Sequence, residues 1–136
     1  MGLMTELFIS TPERAATYAG DARAQFERVQ LGGLTNLEFE TLWAILAGEA
    51  WDPDKHALRE VTSTDSQWVF EFPAPYLAII RSLSEEAKKS AAVAWADTEE
   101  LAGSSPAELS AVIDQLVAAS QSAANAGQRL FVWVSL

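Results

Sequence analysis

The sequence predicts an α+β domain: about five helices packed on a small mixed β-sheet, with the C-terminal strand buried inside it. Three observations carry that expectation. Apolar patterns of period two and period 3.6 follow one another in the order β-α-β-α-β-β-α-α-α-β, which lacks the regular strand–helix repeat of an α/β winding. The run Leu130-Phe131-Val132-Trp133-Val134 is apolar without alternation, the pattern of a strand covered on both faces and so central in its sheet. Capping residues and glycine stops bracket the helical segments, and no repeat, linker or low-complexity tract interrupts them. Residues 1–136 therefore read as a single domain.

Taken in order, Glu6-Leu7-Phe8-Ile9 has the apolar content of a short strand, and Ser10-Thr11-Pro12-Glu13 starts a helix with proline at its first position. Ala19-Gly20-Asp21 stops that helix early. Phe26 to Leu31 alternates imperfectly and reads as a second strand, turned by Gly32-Gly33. Thr35-Asn36-Leu37-Glu38 has the form of a capping box, with the threonine oxygen expected on the Glu38 amide. Phe39, Leu42, Trp43 and Leu46 then fall at i, i+3, i+4 and i+7, with Leu37 and Ile45 as a second apolar edge, and Gly48 ends the helix.

Ala57–Val61 and Gln67–Phe72 read as a hairpin around Ser63-Thr64-Asp65-Ser66. Pro73 and Pro75 forbid further ladder pairing and open a helix carrying Tyr76, Ile79, Ile80 and Leu83 on one face. Ser84 caps the next helix, whose Ala87, Ala91, Ala94, Thr98 and Leu101 form a seam of mostly small residues beside Trp95. Ser105-Pro106-Ala107-Glu108 opens the last helix with Leu109, Val112, Ile113, Leu116, Val117, Ser120 and Ala124 inward, and Gly127 stops it.

Composition narrows the chemistry. The chain has no cysteine, which excludes disulfides, thiolate nucleophiles, iron–sulfur clusters and cysteine zinc sites, and fits a reducing, cytoplasmic setting. Met1–Glu6 lacks the basic start of a secretory signal, and Gly2 is followed at the sixth position by Glu6 where myristoylation wants Ser or Thr. No stretch approaches the roughly 20 apolar residues of a membrane helix, so no membrane association is expected. Nineteen acids against nine bases give a formal charge of −10. Nucleic acid is a poor partner for that surface, because binding it depends on Lys and Arg displacing counterions. With no G-x-G-x-x-G, no Lys-Ser/Thr phosphate loop and no G-x-S-x-G elbow, no cofactor is expected.

Two constellations invite chemistry. His56 is the only histidine and follows Trp51-Asp52-Pro53-Asp54-Lys55, so Asp52, Asp54 and His56 could converge on a divalent ion. Asp-Pro-Asp is also ordinary turn chemistry, with side chains bonding nearby amides, and that plainer reading is preferred. Asp97 and Glu100 stand at i, i+3 spacing and could pair as acid and base. A helix C-terminus disfavours such charges, so a solvated face is the simpler expectation. Glu85 and Lys89 are expected to pair at i, i+4.

Of the five tryptophans, Trp43 and Trp133 belong to apolar patterns, whereas Trp51 in a loop and Trp68 at a strand start are candidates for a binding surface. An aromatic–acidic patch of Trp51, Asp52, Asp54, His56 and Trp68 suits a partner bearing arginine or lysine. The favoured expectation is a non-catalytic interaction domain for a basic partner protein, with homodimerisation as a variant. The alternative is a metal- or small-molecule-dependent enzyme or ligand-binding module on His56, Asp52 and Asp54.

Overall fold

The computed structural model describes residues 3–136. Its five strands are β1 (Met4–Ser10), β2 (Glu27–Leu31), β3 (Arg59–Ser63), β4 (Gln67–Glu71) and β5 (Arg129–Ser135), ordered β2-β1-β5-β4-β3 in one sheet. The helices are α1 (Pro12–Ala15), α2 (Asn36–Ala47), α3 (Ala74–Arg81), α4 (Glu85–Ala96) and α5 (Pro106–Ala126), with 3-10 turns at Gly20–Gln25 and Glu99–Leu101. The α+β class and the element order follow the sequence patterns, and β5 lies in the middle between β1 and β4. Every pairing is antiparallel, where a mixed sheet was expected. An unbroken apolar run requires only that both faces be covered, and antiparallel neighbours satisfy that as well as parallel ones.

The two faces are covered unequally. Alternation along β1 and β5 sends Leu7, Ile9, Leu130, Val132 and Val134 to one side, where α2–α5 close a large aliphatic and aromatic core. Phe8, Phe131 and Trp133 point the other way, into a smaller cluster with Ala15, Tyr18 and Phe26 from the α1 region. Tyr18 stacks on Phe8 with centroids 3.7 Å apart, and the Arg23 guanidinium lies 4.2 Å above Trp133.

Local chemistry sets the helix ends. Ser84 and Ser105 accept from the amides of Ala87 and Glu108, each at 3.1 Å, as capping side chains should. Thr35 instead accepts from Leu37, at 3.3 Å, while its hydroxyl contacts the Glu38 carboxylate, so the expected box closes through side chains rather than the Glu38 amide. Gly48 and Gly127 close α2 and α5 at φ of 70° and 65°, a left-handed geometry that a β-carbon would strain.

Buried aromatics then lock the helical layer together. Tyr76 of α3 donates to the Phe39 carbonyl at 2.6 Å, and Trp95 of α4 donates to that of Glu38 at 2.9 Å, so two helices are pinned to the first turns of α2. Burial pushes the Tyr76 hydroxyl well above its ordinary pKa.

Several expectations shift. The buried seam of α4 runs through Ala91, Ala92 and Trp95, leaving Ala94 exposed, because the bulk of Trp95 turns the helix toward Phe39. On α5, Ala123 is buried and Ala124 exposed. The β3–β4 hairpin starts two residues later than the pattern suggested and carries a register shift between Glu60 and Thr62. Among the described residues no helix is long and apolar enough to cross a membrane.

Candidate functional site

The loop after α2 is built around its histidine. Pro53 presets the backbone for a turn, and Asp52 Oδ1 accepts from the Asp54 amide at 2.9 Å. The Asp52 carbonyl accepts from the His56 amide at 2.9 Å, and the Asp52 amide donates to His56 Nδ1 at 3.0 Å. That pattern assigns the imidazole proton to Nε2, which sits 3.1 Å from Glu49 Oε1. The ring itself is only 1% exposed and presents an edge contact to Trp43.

Hydrogen bonds from Lys55 and then from His56 hold the Glu49 carboxyl below the ordinary glutamate range. Lys55 and His56 therefore staple both ends of the loop through one carboxylate. Both imidazole nitrogens are engaged, so neither is free to accept a proton from a nucleophile or to ligate a metal. Asp52 is spent on the turn, and Asp54 faces solvent. Among the described residues no group of three or more His, Asp or Glu is placed to hold a metal ion.

The five residues singled out from the sequence fall into two places. Asp52, Asp54 and His56 share the loop, from which Trp51 projects with 44% of its surface exposed. Trp68 lies elsewhere, in a groove of about 340 Å³ on the helical side of the sheet. Leu3, Phe70, Val134 and Leu136 give that groove apolar walls, and Thr35, Asn36 and Glu60 give it a polar rim.

Glu60 was not anticipated. The register shift after it brings Glu60 opposite Phe70 and Ser63 opposite Trp68, and no local pattern announces that offset. The acid pair at Asp97 and Glu100 fails for a related reason: α4 ends at Ala96, Asp97 is its cap, and Glu100 belongs to the 3-10 turn, so the helical spacing does not apply. Glu85 pairs with Lys88, at 3.0 Å, rather than Lys89, and Lys88 also reaches Asp114 of α5.

Two further charge clusters, both on the α1 side of the sheet, were invisible in sequence. Glu6, with its side chain only 2% exposed, accepts from Tyr18 at 2.6 Å, Arg23 at 2.9 Å and Arg28 at 3.0 Å. Burial, and then the hydrogen bond to Glu6, raise the Tyr18 hydroxyl far above its ordinary pKa. Glu71 likewise gathers Arg59, at 2.5 Å, and Arg129, at 3.0 Å. A lone acid immediately before the apolar stretch Leu7-Phe8-Ile9, within the same strand, was the one available hint, since a buried carboxylate needs cations brought to it.

Fold and site together define an acidic α+β domain with an antiparallel sheet, a self-stapled histidine loop and an open apolar groove. Comparison with protein-family models, with characterised proteins and with solved structures gave no match.

Proposed function

We propose that this domain is a non-catalytic interaction module for a basic protein partner. The observation that carries this reading is how the chain spends its cations. Arg23, Arg28, Lys55, Arg59, Lys88 and Arg129 are each held by a carboxylate of the same chain. Arg14 lies over Phe26, and Arg81 donates to the Ser120 carbonyl. With so many bases satisfied internally, the excess charge of −10 resides in outward carboxylates, among them Asp52 and Asp54 beside exposed Trp51. Such a surface attracts a cationic protein at long range and offers it an aromatic contact at close range.

The same geometry favours this reading over an enzyme or ligand-binding module on His56, Asp52 and Asp54, because the imidazole is consumed in holding the loop. A second copy is the weaker partner, since it brings another −10 to the encounter.

Selection from a random peptide display library tests the proposal. Enriched peptides are expected to be rich in arginine and lysine, with affinity falling steeply as salt rises from low to physiological concentration. Enrichment of neutral or acidic peptides that bind independently of salt would refute it.

A further inference from the structure

We infer that the groove walled by Trp68 is an anchor pocket for an arginine side chain of the basic partner, with Glu60 as its counter-ion. The inference rests on the interaction reading above and locates the contact.

Four glutamates are borne by strands of this sheet: Glu6, Glu27, Glu60 and Glu71. Glu6 gathers the guanidinium groups of Arg23 and Arg28, and Glu71 gathers those of Arg59 and Arg129. Glu27 and Glu60 gather no cation among the described residues, and of the two only Glu60 shares its groove with a tryptophan. The one polar contact of Glu60 is a long one, 3.4 Å from Ser63 Oγ. Glu6 and Glu71 thus receive their guanidinium groups from the chain itself, whereas Glu60 stands at a groove with its place open.

What surrounds Glu60 suits the same group. Trp68, half-buried, lines the groove, and a guanidinium stacks on an indole better than an ammonium does. Leu3 and Leu136, with the largely buried Phe70 and Val134, give an apolar surface along which the methylene stem can lie while the charged head reaches the rim. A volume of about 340 Å³ is at the small end of ligand sites, room for one long side chain and a little of its backbone. The fold contains its own precedent for this arrangement, since Arg23 spans Trp133 and Glu6 in one reach.

The register shift at Val61 makes the groove possible. Glu60 and Ser63 both face Trp68 and Phe70 across the hairpin, whereas a regular strand would turn residues three apart to opposite faces.

The test is a titration of isotope-labelled protein with N-acetyl-arginine methylamide and, separately, with its neutral isostere N-acetyl-citrulline methylamide, monitored by NMR. The Trp68 indole signal is assigned by its loss in Trp68→Phe. The arginine probe is expected to shift that signal saturably, and Glu60→Gln to weaken binding at least fivefold. Glu60 is exposed, so Glu60→Gln should otherwise preserve the spectrum. The citrulline probe should give no saturable shift over the same range. Equal binding of citrulline, unchanged affinity in Glu60→Gln, or a silent Trp68 would each overturn the pocket. If Trp68 is silent while signals near Trp51 and Asp54 move with the arginine probe, this inference falls and the interaction reading stands. If no signal moves and the peptide selection also yields nothing basic, both fall.

Discussion

Glu6 and Glu49 do the same job in opposite surroundings. Each is a carboxylate bridging two basic side chains, and each fastens an irregular segment to the ordered framework. Glu6 holds residues 11–28 against the sheet, and Glu49 holds the loop that ends at His56. The difference lies in water. The Glu6 side chain is 2% exposed and that of Glu49 38% exposed. A desolvated charge must be matched, so its partners become obligatory, whereas a solvated one loses little when a partner leaves.

The largest expected effect is at the buried hub. Glu6→Gln leaves Arg23 and Arg28 facing an uncharged amide and should destabilise the fold by about 3 kcal/mol in urea unfolding, the low end for breaking a buried pair because the arginines keep some solvent. A loss below about 1 kcal/mol would show that water already reaches the cluster.

Tyr18→Phe sharpens the comparison. It removes one charge-assisted bond and should cost about 2 kcal/mol near neutral pH. Because the folded state raises the Tyr18 pKa, the unfolded chain ionises first on the alkaline side. The stability tied to the neutral hydroxyl is complete below about pH 10 and declines as pH climbs beyond it. Melting temperatures from pH 8 to 11 should therefore fall less steeply for Tyr18→Phe than for the parent.

The smallest effect is at the exposed staple. Lys55→Ala should leave the melting temperature nearly unchanged at neutral pH. The depressed Glu49 pKa contributes stability above the ordinary carboxylate range, and that contribution disappears as pH falls through the folded-state value. Glu49→Gln should accordingly flatten the acid limb of the stability curve, and an unaltered limb would mean that Glu49 titrates as it does in the unfolded chain.

The same contrast explains what could be read from the sequence. The Glu49 cluster spans six and seven positions, so its loop, its lone histidine and its turn chemistry were visible together. Glu6 reaches partners 12, 17 and 22 residues away, through a 3-10 turn that sets Arg23 and a strand that sets Arg28. Local patterns located β5, the caps of α4 and α5, and the exposed Trp51, since each depends on neighbours along the chain. They could not show that His56 turns inward with both nitrogens taken, because only the closed loop displays that. Trp68 stood out as an aromatic at a strand start, yet Glu60 did not, because its place beside the groove follows from an offset between two strands.

The middle of the sheet has a further consequence for how the molecule is made. Met4 pairs with Ser135, and the whole of β1 lies against β5. During synthesis β1 must wait, its central partner missing, until β2, the β3–β4 hairpin and all five helices between them have been made. Contacts that close so long a stretch of chain form slowly, so assembly should be late and all-or-none, with chaperone capture of the waiting apolar strand its most vulnerable stage.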